Sequence, residues 1–382
     1  MRNWLALSAL MLLVACSKEK PVDLPSELVD FKASAKVERL WSARIGGDDE
    51  VLRLGLGLAV AGDRLYAAGH GGDVVAFERE TGKSVWRTQT KVRLSGATGV
   101  GDDLVVVGSS EGDVIALAIA DGAVRWRVKV RGEILSAPAV SANIVVVRTV
   151  DGRLRGLAAS DGKQIWETEE QVPRLSLRGT ATPVIVHDLV IAGFDNGKVL
   201  ASSLANGDTV WDMQVSAPKG RTELERLVDI DSAVKIADDD VFVVGFQGRA
   251  AMLALDSGQI WWTRDVSSYR GVDIDDNAMY VAAADGQVLA LQRRTGVELW
   301  HQDMLKYRRL SAPVVVGEFV AVADFEGYMH WLDKTNGNLA ARIGGIGGRV
   351  STPPVAVDGV VYLISDSGRI SALRASRIAA TN

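Results

Sequence analysis

Apolar residues along most of this chain fall in short runs with a spacing of two, bounded by Gly, Asp, Asn and Pro. That spacing predicts short β-strands, because an amphipathic helix would repeat its apolar positions every 3.6 residues. One stretch shows the pattern: Ser136-Ala-Pro138-Ala-Val140, Ile144–Val150, Arg153–Ala158 and Gln164–Thr168 read as four successive strands, from innermost to outermost. Asp-Gly and Asn-Gly pairs separate such runs, at Asp151-Gly152, Asp161-Gly162, Asn196-Gly197 and Asn336-Gly337 among others. These dipeptides tolerate positive φ and predict tight two-residue hairpins. Proline stands at the head of the inner strands, at Pro138, Pro183, Pro313 and Pro353, where no ladder donor is needed.

The four-strand unit repeats. A glycine, a second glycine ten positions on, and a tryptophan four beyond that recur as Gly72, Gly82 and Trp86, then as Gly112, Gly122 and Trp126. Further copies start at Gly152, Gly197, Gly248, Gly286, Gly327 and Gly368, at intervals of 38 to 51 residues. A period near 40 with an internal periodicity of two predicts propeller blades. The fold expected is therefore all-β: an eight-bladed β-propeller of four-stranded antiparallel blades. The last copy lacks an outer strand, and Val37–Trp41 near the N-terminus supplies one, which closes the ring and covers both free edges. The repeat resembles the PQQ-like, tryptophan-docking family, in which the tryptophan packs between adjacent blades. The seventh copy departs from it with Ala341 at the tryptophan position, so that interface is expected to be looser or filled by Trp331.

Composition narrows the function. The chain has 382 residues, 47% hydrophobic and 24% charged, with 43 basic and 48 acidic residues. The acidic balance argues against general nucleic-acid binding. A single cysteine leaves no internal disulfide and no Cys-based metal site. That cysteine ends Met1–Cys16, where a basic Arg2, an apolar stretch from Trp4 to Val14 and Ala15 precede it, as in a secretory signal. The ending Leu13-Val14-Ala15-Cys16 resembles the bacterial lipobox, which implies that Cys16 is acylated, and Ser17 after it implies the outer membrane. The organisation expected is a signal peptide over 1–15, lipidated Cys16 and a flexible tether over 16–36, a propeller over 37–376, and a tail over 377–382.

Chemistry is sparse. Gly108-Ser-Ser110-Glu-Gly112 matches a nucleophile elbow in letters, but it lies on a strand-to-strand hairpin and not on the strand-to-helix turn that the chemistry needs. His70, His187, His301 and His330 show no metal-ligand spacing. Asp238-Asp-Asp240 reads as a solvated turn rather than a calcium site, and Ile343–Arg349 as a Gly-rich loop without a P-loop lysine. Quinone-dependent dehydrogenases share the fold class, yet their adjacent cysteines have no counterpart here. No enzyme, cofactor or metal is expected.

The two longest repeat intervals carry insertions the fold does not need, and such insertions often bind. With the lipobox and the propeller, Leu175-Ser-Leu-Arg178 and Arg226-Leu-Val-Asp-Ile-Asp231 resemble the BamB family, lipoproteins of the outer-membrane β-barrel assembly machinery. That resemblance implies a non-catalytic scaffold that binds the periplasmic POTRA domains of BamA, with Leu175, Leu177, Arg178, Asp229 and Asp231 in the partner surface. Exposed strand edges extend the partner set to unfolded outer-membrane proteins by β-augmentation. A propeller that binds glycans or another envelope polymer is the alternative.

Overall fold

The computed structural model describes residues 23–45, 56–177 and 181–379, and these contain 32 strands and no helix. The strands form eight separate four-stranded antiparallel sheets. The first blade holds β2 (Leu58–Ala61), β3 (Arg64–Ala68), β4 (Asp73–Glu78) and β5 (Ser84–Gln89). Blades two to seven repeat this order within residues 99–129, 139–169, 184–214, 235–264, 272–302 and 314–343. The eighth joins β1 (Ala35–Arg44) to β30 (Val355–Val357), β31 (Val360–Ile364) and β32 (Arg369–Arg377). The closing strand expected at Val37–Trp41 is thus present and longer, with Ala35 opposite Arg377 and Arg44 opposite Arg369.

The core lies between blades, and each of eight apolar clusters joins one sheet to the next. Tyr66, Val74 and Trp86 of the first blade meet Val105, Ile115 and Leu117 of the second, and Trp41, Tyr362 and Ala372 of the eighth meet Leu65, Val75 and Phe77 of the first. Middle strands are therefore buried on both faces and read as unbroken apolar runs, whereas outer strands bury only the tryptophan face. Seven outer-strand tryptophans each donate Nε1–H to a carbonyl of the following blade, as Trp41 does to Arg79 at 2.9 Å and Trp126 to Ala159 at 2.7 Å. The second repeat glycine makes room for the ring. At Gly82, φ is +70° and a Cβ would lie 2.4 Å from the Trp41 ring, so neither the backbone nor the space admits another residue.

The seventh blade keeps the same large–small pair with its members exchanged. Elsewhere the outer tryptophan faces a smaller residue on the third strand, as Trp126 faces Ala116; here Trp331 on the third strand faces Ala341 on the outer one. Trp331 is fully buried among Ala35, Ala341 and Leu363, so it fills the interface as expected. Its Nε1 has no hydrogen-bond partner among the described residues. Polar clamps act there instead: Arg377 engages Asp333 and Glu318, and Arg39 donates to the Gly344 carbonyl at 2.9 Å.

Two expectations need correction. The connections at Asp151-Gly152 and Asp161-Gly162 are not two-residue hairpins. Thr149 N–H donates to Arg153 O and Gly152 N–H to Thr149 O, which leaves four residues between strands with the glycine, not Asp151, at positive φ. The two-residue turns with both central residues at positive φ are Asp102-Asp103, Ala142-Asn143 and Asp358-Gly359. Nor is the N-terminal tether free up to residue 36. Ser26 N–H donates to Lys306 O, Arg308 to Ser26 O at 2.8 Å, Arg342 to Val29 O, and Ser34 N–H to Ala340 O. Leu28 and Phe31 pack on the cluster between blades six and seven, with the Arg342 guanidinium 5.1 Å from the Phe31 ring centre. The segment thus runs along the seventh blade, from the end that carries the interblade crossovers to the end that carries the inner hairpins.

Candidate partner-binding surface

Two crossovers are longer than the rest: residues 170–183, between the third and fourth blades, and 215–234, between the fourth and fifth. The second is anchored by apolar residues. Leu227, Val228, Ile230 and Val234 are buried, Ile230 N–H donates to Phe194 O at 3.1 Å, and Phe246 N–H donates to Asp229 O at 2.8 Å. Its outer part is a turn in which the Glu225 carboxylate accepts the N–H groups of Arg221 and Thr222, and this turn carries Leu224 into solvent.

The first insertion rests on the second. Leu177 N–H donates to the Asp229 carboxylate, while the side chains of Leu175 and Leu177 stay 43% and 41% exposed, outside any strand. Both are therefore surface leucines rather than inward residues of a strand. Beneath them lies a buried ion pair, Arg148 with Asp195 at 2.8 Å, whose guanidinium stacks 4.9 Å over Phe194. Burial pushes the Asp229 carboxyl up to about 6; the Asp195 charge adds to this, while the Leu177 and Val228 amides and Arg148 oppose it.

The sequence-predicted residues thus separate into two kinds. Leu175 and Leu177 are at the surface. Asp229 and Asp231 are buried, and Asp229 holds the first insertion through Leu177 N–H. Asp231 also lines a funnel of about 450 Å³ on the propeller axis, beside Arg270 and Arg349. Arg178 and Cys16 lie outside the described residues. Sequence reasoning missed Leu224, although an apolar residue among Arg221, Glu223, Glu225 and Arg226 in an insertion was a usable signal.

Three of the four histidines are accounted for locally: His70 bonds Leu94 O, His301 bonds Glu298, and His330 is buried against Asp324 at 3.0 Å, while His187 sits in a hairpin turn. Among the described residues no group of three or more His, Cys, Asp or Glu is placed to hold a metal ion. Gly108 ends one strand and Asp113 begins the next, so the elbow-like motif is a hairpin.

These features define a tryptophan-docked propeller of the scaffold class, with loop-borne apolar contacts. The family described as outer membrane protein assembly factor BamB matches residues 32–98, 89–302 and 284–378. The chain belongs to that family. A BamB from Pseudomonas aeruginosa is 44% identical over 370 residues, covering 96% of this chain and 97% of that protein. The crystal structure of BamB from Moraxella catarrhalis superposes with a TM-score of 0.82 at 27% identity, over 89% of this chain and all of that one. A quinohemoprotein alcohol dehydrogenase from Comamonas testosteroni shares the fold alone, with a TM-score of 0.68 at 12% identity over 88% of this chain and 76% of that one. The relatives are assembly factors, and the role of the chain is non-catalytic.

Proposed function

We propose that this chain is a lipid-anchored scaffold of outer-membrane protein assembly, held at the periplasmic face of the outer membrane through Cys16 and bound to the POTRA domains of BamA. The observation that carries the partner surface is the pair Leu175 and Leu177, exposed on a loop whose backbone is fixed by buried Asp229. Pre-ordered leucines bind with less entropic loss than mobile ones, and exposed apolar side chains on a positioned loop are typical interface anchors. Arg178, next to them in sequence, would add a charge-assisted contact. Cys16 supplies the membrane attachment, since several acyl chains together give a stable anchor.

The test is binding of the full chain in detergent to purified BamA POTRA domains. Leu175→Ala with Leu177→Ala should weaken affinity at least tenfold with the circular dichroism spectrum unchanged. An unchanged affinity would place the contact elsewhere on the propeller.

A further inference from the structure

The hairpin end of the propeller carries a groove of about 480 Å³ between blades four and five, remote from the insertions. Its walls are His187 and Leu189 on one side and Asp239, Asp240, Asp256 and Trp261 on the other. Comparison among the repeats makes two of these residues exceptional. Asp240 opens the second strand of its blade, where every other blade has an apolar residue or, in the first, Arg64. Trp261 precedes the docking tryptophan, where the other blades carry Val, Ile, Leu, Ala or Arg, and it is 53% exposed.

Asp238-Asp-Asp240 is therefore not simply a solvated turn. Asp238 pairs with Arg293, but Asp240 is nine-tenths buried, lines the groove, and its side chain makes no hydrogen bond or ion pair among the described residues. No lysine or arginine lines the groove. A carboxylate without a partner of its own, open to the groove, attracts a cation, and an adjacent indole face attracts one as well. A metal ion does not suit the donors, since no metal-competent cluster exists among the described residues. Its volume of about 480 Å³ is enough for one flexible side chain.

We infer that this groove binds a lysine or arginine side chain presented by a segment of a partner polypeptide, with Asp240 as the counter-charge and Trp261 as the stacking face. The site is separate from the leucine surface and at the opposite end of the propeller.

The test uses the full chain in detergent labelled with 5-fluorotryptophan, with the Trp261 resonance identified through Trp261→Phe. The probe acetyl-Gly-Arg-Gly-amide, or its lysine counterpart, should shift that resonance saturably. Asp240→Asn should weaken the response at least tenfold, with the other tryptophan resonances in place as a control for folding. Asp256→Asn, at an exposed position, should weaken it without touching the interior. The same peptide with citrulline, or calcium chloride alone, should leave the resonance unmoved. The proposal fails if the arginine peptide gives no saturable shift, if citrulline or calcium acts equally, or if the response survives both substitutions.

Discussion

Asp229 shows how one buried carboxyl sets the shape of an exposed loop. Its folded pKa of about 6 lies above the 3.8 of an ordinary aspartate, so the folded state holds the proton more tightly than the unfolded chain. Ionisation therefore opposes folding at this site, and stability is lost as pH rises from about 4 through about 6, by up to about 3 kcal/mol. Asp229→Asn keeps an acceptor for Leu177 N–H and removes the charge. It should raise the thermal midpoint by a few degrees at pH 7.5 and by only about a third as much at pH 4.5, as read by calorimetry at both pH values. An equal shift at both would mean that ionisation does not control this site. The burial of Asp229 was not legible in the sequence. In a polar insertion, Arg226-Leu-Val-Asp-Ile-Asp231 reads as charged groups offered outward, but Leu227, Val228 and Ile230 draw the segment into the gap between blades and take both aspartates with them.

At the scale of strands, the exchange of Trp331 and Ala341 makes a prediction about packing. Trp331→Ala alone should cost about 3–5 kcal/mol, as for other buried aromatic truncations. Ala341→Trp alone should cost about 1–3 kcal/mol, because the Trp331 indole already fills the space. The double variant restores the arrangement of the other blades and should be more stable than the sum of the singles allows, by at least about 1 kcal/mol in denaturant titrations. Additivity would show that the two positions do not share one pocket. Blades were legible because their signals are local: a glycine at positive φ, a tryptophan four residues on, apolar runs between. Turn class was not, since Asp151 keeps an ordinary φ while Gly152 alone takes the positive one. Docking of residues 26–34 was hidden for a different reason. Leu28 and Phe31 form no periodic pattern, and the arginines that hold the segment lie some 280 to 310 positions later.

The whole ring depends on one non-covalent seam, β1 against β32. Deletion of residues 1–44 should free the edge of β32 and uncover the apolar face of the first blade on which Trp41 docks. The shortened chain should unfold at a lower temperature and self-associate by strand pairing, as measured by light scattering after size exclusion. A monodisperse shortened chain with an unchanged midpoint would mean that the other seven interfaces hold the ring without the seam.

If the chain is anchored at Cys16 as proposed, the docked N-terminal segment selects the end of the propeller that is moored nearer the membrane. Ser26 meets the propeller beside Lys306, at the crossover end, the same end that carries Leu175 and Leu177. Under the anchoring proposed for Cys16, residues 17–25 span about 30 Å at full stretch. On so short a line the crossover end, with its leucine loops, is moored nearer the bilayer than the acidic groove. A partner for the first would then meet the propeller close to the membrane, and a partner for the second would approach from the open periplasm.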